Sequence, residues 1–169
     1  CARRATGESG ANTAWPRRQR LADIMQKRAR ETYCNARGLP VYYTEWNIAS
    51  NPRDPFHDEP FAAALATNIM MGVQGLVQGY SYWTFSDIFE ENYFPSVPFH
   101  GGFGLLNIHG IAKPIYRAFE VLHRLGDELL TIHGKHKTVS AWVAGREHSV
   151  TVLLTNHAMP KHAIKTELG

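Results

Sequence analysis

Glu45 stands directly after Val41-Tyr42-Tyr43-Thr44, a short β-branched and aromatic run bounded by Pro40. Such a run suits a strand buried on both faces, which puts an acid at the strand's carboxyl end with Trp46 and Asn47 beside it. A second run, Gly79 to Thr84, ends in the same way: Trp83 lies at its carboxyl end, with Asp87, Glu90 and Glu91 just beyond. Acids beside flat rings at two successive strand ends are what a sugar site needs. The rings stack on the apolar face of a pyranose, and the carboxylates accept hydrogen bonds from its hydroxyls. Position alone leaves other readings open. A Glu after a strand also serves as a solvated loop residue or a helix cap, and Trp46 and Trp83 also serve as core. Ser86-Asp87 equally caps a turn, and Glu90-Glu91 equally forms a solvated pair.

The elements that must hold these residues are legible around them. Asn12 or Thr13 can cap a helix running to about Asn35, with Leu21, Ile24, Met25, Ala29, Thr32 and Tyr33 on one stripe. Gly38-Leu39-Pro40 ends it. Asn47 to His57 is a loop; Asp58 is the expected N-cap of a second helix, with Pro60 in the first turn. That helix carries Phe61, Ala64, Leu65, Asn68, Ile69 and Gly72 on one side. A long loop spans Phe85 to Gly102, and Pro114 opens a third helix with Ile115, Ala118, Phe119, Leu122 and Leu125 in register and Gly126 at its end. Val139 to Ala144 and Ser149 to Leu154 then flank Gly145-Arg146-Glu147-His148 as a hairpin.

Strands alternating with helices predict βα units and a parallel sheet, and the final hairpin predicts a separate all-β piece. In a (β/α)8 barrel the active site lies at the carboxyl ends of the strands, where Glu45 and Trp83 fall. Two strands cannot close such a sheet, and open edges invite aggregation. With Cys1 rather than Met at the start, the expectation is a piece of something larger. Residues 1–126 are read as the carboxy-terminal portion of the barrel and 127–169 as the start of an accessory β-sandwich.

Composition narrows the classes. The net charge is +3, and its densest basic stretch, Arg17 to Arg30, interleaves with Leu21, Ile24 and Met25. That is the solvated face of an amphipathic helix, so no nucleic-acid partner is expected. The most apolar segment, Phe61 to Val77, is broken by Asn68, Gly72, Gln74 and Gly75. It falls short of the roughly 20 apolar residues of a membrane-spanning helix. Two cysteines make no disulfide framework, and Cys34 is expected as a free buried thiol in the first helix. Nothing in the spacing of the 9 histidines suggests a metal site, and no cofactor is implied.

Four segments taken together carry a resemblance. They are Val41-Tyr42-Tyr43-Thr44-Glu45-Trp46-Asn47, His57-Asp58, Ser81-Tyr82-Trp83-Thr84-Phe85-Ser86-Asp87-Ile88-Phe89-Glu90-Glu91 and Phe99-His100-Gly101-Gly102-Phe103-Gly104-Leu105. In this order they resemble glycoside hydrolase family 39, the family of β-xylosidases and α-L-iduronidases, and follow its bacterial β-xylosidase branch over nearly the whole chain. The resemblance implies an α/β fold: the last two strands of a (β/α)8 TIM barrel with their helices, followed by strands of a β-sandwich. It implies removal of terminal β-1,4-linked xylose from xylo-oligosaccharides, or cleavage of other β-xylosides, by double displacement with retention and without a cofactor.

Roles follow from the same resemblance. Glu45 becomes the nucleophile, Trp83 lines the sugar subsite, Glu90 and Glu91 bind xylose hydroxyls, and Asn47 joins the substrate-binding set. No role passes to Asp87, His57 or His100. The family's general acid/base is the Glu of an Asn-Glu-Pro motif on the fourth strand, and this chain contains no Asn-Glu-Pro. The second catalytic carboxylate is therefore expected elsewhere, and the 169 residues alone are expected to be inactive. Two other readings remain: a non-catalytic carbohydrate-binding remnant, and a hydrolase for another sugar such as an iduronide. The Glu90-Glu91 pair argues against the latter, because iduronate brings its own carboxylate.

Overall fold

Pro60 to Val73 is apolar on every side, a pattern that belongs to a helix covered all round rather than to a surface helix. The computed structural model, which describes residues 21–89, 91 and 97–160, places it there. In order, its elements are α1 (Leu21–Asn35), β1 (Tyr42–Trp46), a 3-10 turn (Pro55–Asp58), α2 (Pro60–Val73), β2 (Gly79–Tyr82), α3 (Pro114–His123), β3 (Glu128–Leu129), β4 (Val139–Arg146) and β5 (Ser149–Asn156). α2 packs against α1, α3 and the end of β5, and it buries Phe61, Ala62, Leu65, Ala66, Thr67, Ile69, Met70 and Val73. The single-sided stripe expected for it was too narrow. α1 meets α2 through the small, buried Ala22 and Ala29, while Ile24 and Tyr33 of its expected stripe are exposed. The expected start of this helix, Asn12 or Thr13, lies outside the described residues.

β1 and β2 pair in parallel, joined through α2 as a βαβ unit. The pairing runs Tyr42 with Gly79, Tyr43 with Tyr80 and Trp46 with Tyr82, so β1 spends one more residue than β2 over the last step. The extra residue makes a bulge at Thr44–Glu45. β1 was expected to be buried on both faces; Tyr42, Thr44 and Glu45 are exposed among the described residues, and Trp46 is buried. Trp46 is core, set edge-on to Tyr80 and Tyr82 with ring centroids 6.3 and 5.3 Å away.

Three further expectations change. The N-cap position of α2 is Glu59, without a side-chain cap, because Asp58 ends the 3-10 turn and its carboxylate is used elsewhere. Cys34 is half-buried and disulfide-bonded, not a free buried thiol. α3 ends at His123, short of Gly126, where a Cβ would stand 2.2 Å from the Gly145 carbonyl oxygen. That close approach lets Glu128–Leu129 join β4 as a strand the sequence did not announce, giving an antiparallel sheet of order β3-β4-β5. The hairpin strands run further than expected, because Arg146 pairs with Ser149 across a two-residue turn in which Glu147 has φ 40°. Val150, Val152 and Leu154 alternate on an exposed face of β5.

The hairpin is fastened to α2 by a polar contact. The Ser140 hydroxyl donates to Asn68 Oδ1 at 2.8 Å and lies 3.1 Å from His157 Nε2. Met159 and Trp142 pack on the helical core beside it.

Candidate active site

Bulges re-aim side chains, and here the bulge turns Glu45 outward while Trp46 points into the core. Among the described residues Glu45 makes no hydrogen bond or ion pair, and its side chain is exposed. The ladder sets Trp83 against the residue that follows Glu45: the Trp83 N–H donates to the Trp46 carbonyl at 2.9 Å, one residue beyond β2. The indole of Trp83 is held from the other side. Its Nε1–H donates to Glu91 Oε1 at 3.0 Å, and Phe89 meets it edge-on at 5.0 Å. Glu90 lies outside the described residues.

Asn47 is fully used internally. Its Nδ2 donates to the Trp83 carbonyl and, at 3.4 Å, to the Phe103 carbonyl; its Oδ1 accepts from the Tyr82 hydroxyl at 2.9 Å and the Ile48 N–H at 2.6 Å. It bridges the ends of β1 and β2, and burial pushes the Tyr82 hydroxyl well above its usual pKa, which keeps it a donor.

Beneath these residues lies a polar cluster that sequence reasoning did not find. Asp58 follows the loop after Glu45, and Asp87 follows the strand end that carries Trp83. Both face Lys113, whose side chain is fully buried. Lys113 Nζ stands 2.7 Å from Asp58 Oδ1 and 2.5 Å from Asp87 Oδ2, and donates to the Gly102 carbonyl at 3.0 Å. The other carboxylate oxygens accept backbone N–H groups: Asp58 Oδ2 from Gly101 at 2.6 Å, Asp87 Oδ1 from Gly104 at 2.7 Å. Glycine is required where the chain passes this close. Gly101 has φ +79°, and a Cβ there would sit 2.6 Å from the Asp54 backbone; one on Gly102 would sit 2.4 Å from Asp87 Oδ1.

The histidines of the resemblance segments serve the same scaffold. His57 is buried, and its Nδ1–H donates to the Gly101 carbonyl at 2.7 Å, which leaves a bare Nε2 in the neutral ring. Burial lowers its pKa below the ordinary value of 6.5, outweighing the Gly101 carbonyl and Asp54, which favour the proton. His100 accepts from Arg53 at Nδ1, and its Nε2 lies 3.6 Å from Asp87 Oδ2. One signal for Lys113 was available in the sequence. A cation immediately before the Pro114 that opens a helix is at the wrong end of the helix dipole, so it needs another reason to be there. Among the described residues no group of three or more His, Cys, Asp or Glu could hold a metal ion.

The family profile described as glycosyl hydrolases family 39 matches residues 8–167. This chain belongs to that family. As a family 39 glycosidase chain it is 46% identical over 154 residues to a β-xylosidase of Caldicellulosiruptor saccharolyticus, covering 89% of this chain and 31% of the relative. It is 40% identical over 123 residues to a β-xylosidase of Geobacillus stearothermophilus, covering 73% of this chain and 24% of that one. The chain thus spans less than a third of the length of these curated relatives. Among solved structures, a monomeric β-xylosidase of Caulobacter crescentus CB15 superposes with a TM-score of 0.67 at 36% identity, over 78% of this chain and 27% of that one. A family 39 enzyme of Xanthomonas axonopodis pv. citri gives 0.66 at 36% identity, over 76% and 26%. Its mixed α/β architecture is that of a family of TIM-barrel hydrolases.

Proposed function

We propose that this chain is the carboxy-terminal part of a retaining β-xylosidase, with Glu45 as its nucleophile. The βαβ unit would supply the last two strands of the (β/α)8 barrel, and the β3-β4-β5 sheet would begin the accessory β-sandwich, dividing the chain near residue 126. The observation that carries the reading is the outward turn of Glu45 at the bulge, beside a Trp83 clamped by Glu91 and Phe89. The naming of its relatives as β-xylosidases supports the sugar. Trp83 would stack on the pyranose, Glu90 and Glu91 would accept from its hydroxyls, and Asn47 would act by fixing the two strand ends rather than by touching sugar.

Chemically, a Glu45 oxygen forms a bond to the anomeric carbon as the glycosidic C–O bond breaks. The bonding pair leaves on the aglycone oxygen, which takes a proton from an acid outside these 169 residues. Water then attacks the same carbon, gives its proton back to that group and releases Glu45, so configuration is retained. Retaining enzymes hold the two carboxyls about 5 Å apart, too close for an intervening water. Glu45 has to be ionised while its partner is protonated, a division set by their surroundings. The test is an aryl β-xyloside against an aryl α-L-iduronide with the full-length enzyme. Hydrolysis of the xyloside, lost by several orders of magnitude in Glu45→Gln, is expected; preference for the iduronide, or full activity of Glu45→Gln, refutes it. The 169 residues alone should hydrolyse neither.

A further inference from the structure

Lys113 is a cation with no exposed surface, and burying an ammonium is costly unless every proton finds a partner. Here two carboxylate oxygens, Asp58 Oδ1 and Asp87 Oδ2, stand in ion-pair contact with it, and the Gly102 carbonyl accepts a hydrogen bond. The partners sit on three separate segments. Asp58 closes the loop that leaves β1 after Glu45, Asp87 belongs to the loop that leaves β2 after Trp83, and Gly102 belongs to the segment that returns alongside both. Lys113 is itself anchored, since its N–H donates to the Leu105 carbonyl at 2.9 Å.

The returning segment is the rail on which the site's strand ends rest. The Thr84 N–H donates to the Phe103 carbonyl at 3.1 Å and the Leu105 N–H to the Thr84 carbonyl at 2.9 Å, directly after Trp83. The same Phe103 carbonyl accepts from Asn47, two residues after Glu45. Without the ammonium, two carboxylates whose side chains are 12% and 0% exposed would face each other with a shared like charge. They would move apart, and with them the two loops. A displacement of that kind reaches both Glu45 and Trp83.

We propose that Lys113 is a positioning residue for the glycosidase site: it sets the spacing between the loop that follows Glu45 and the one that follows Trp83, acting through Asp58 and Asp87 without touching substrate. The inference rests on the site reading given under Proposed function. A residue that only stabilises the fold lowers Tm but leaves the activity of each folded molecule intact, whereas misplacing a nucleophile by about 1 Å costs on the order of 100-fold in rate. The test is kcat and KM for an aryl β-xyloside, per folded full-length enzyme, in wild type, Lys113→Met and Asp87→Asn, measured well below each variant's Tm. Lys113→Met is expected to lose about 100-fold in kcat/KM, mostly in kcat. Asp87→Asn keeps the shape and weakens one contact, so about a tenfold loss is expected; it decides the matter if Lys113→Met does not fold. An active wild type with variants within twofold of it per folded molecule overturns the inference and leaves the site reading standing. A wild type that hydrolyses no xyloside overturns the site reading, and the inference with it.

Discussion

Asn47→Ala separates a residue that fixes the site from one that holds sugar. In the fold Asn47 accepts from Tyr82 and Ile48 and donates to the carbonyls of Trp83 and Phe103. Phe103 keeps a second partner in the Thr84 N–H, so truncation orphans the Tyr82 hydroxyl, the Trp83 carbonyl and the Ile48 N–H. Each orphaned group costs about 1–3 kcal/mol when buried, and part-buried sites fall at the low end, so the total is about 2–5 kcal/mol. A domain of 150–250 residues shifts by roughly 2–4 °C per kcal/mol and a larger cooperative unit by less, so Tm of the full-length enzyme falls by up to about 10 °C. Tyr82→Phe removes one of the same contacts, so the double variant should cost about 1 kcal/mol less than the sum of the singles. Thermal unfolding followed by circular dichroism, with xyloside kinetics on the same samples, reads both. An unchanged Tm with a raised KM would return Asn47 to direct sugar binding, and strict additivity with Tyr82→Phe would show that the two side chains do not support each other.

Gly102→Ala should destabilise by about 1–3 kcal/mol, because its Cβ would meet Asp87 Oδ1 at 2.4 Å; Gly104 and Gly101 are similarly hemmed in. Gly110 has φ +76° in open space and is the control, expected to lose about 1 kcal/mol on substitution by Ala, and equal Tm losses at the two positions would discount the crowding. Acid sensitivity should trace to His57 and His157, both lowered below 6.5 by burial. The unfolded chain then binds protons that the folded one refuses, so stability is full above about pH 6.5 and falls as pH drops from there toward the folded pKa values. A urea midpoint indifferent to pH between about 7 and 5, or unchanged in slope for His57→Gln, contradicts this.

Periodicity found the parts of this chain that depend on local pattern. The β-branched run before Glu45, the aromatic run before Trp83, the register of α3 from Ile115 to Leu122 and the β4–β5 hairpin all follow from spacing and turn chemistry. What it missed depends on partners far along the chain. The bulge at Thr44–Glu45 exists only relative to β2, and the wide burial of α2 only relative to α1 and α3. Two residues, Glu128–Leu129, carry no period, so β3 was invisible. Lys113 and Asp58 are 55 positions apart in the numbering, and neither looks unusual alone; their meeting turned Asp58 from an expected cap into half of a buried ion pair. The family motifs named Glu45 and Trp83, while the fold supplied the reason that both point where they do.

As the nucleophile, Glu45 forms a covalent bond to the sugar. Incubating the full-length enzyme with an activated 2-fluoro-β-xyloside traps the glycosyl-enzyme ester, and peptide mapping by mass spectrometry locates it. One fluoroxylosyl group per molecule is expected, on the peptide Val41 to Asn47 and on Glu45 within it. A label on any other residue, or rapid turnover of the xyloside with no label at all, would contradict it.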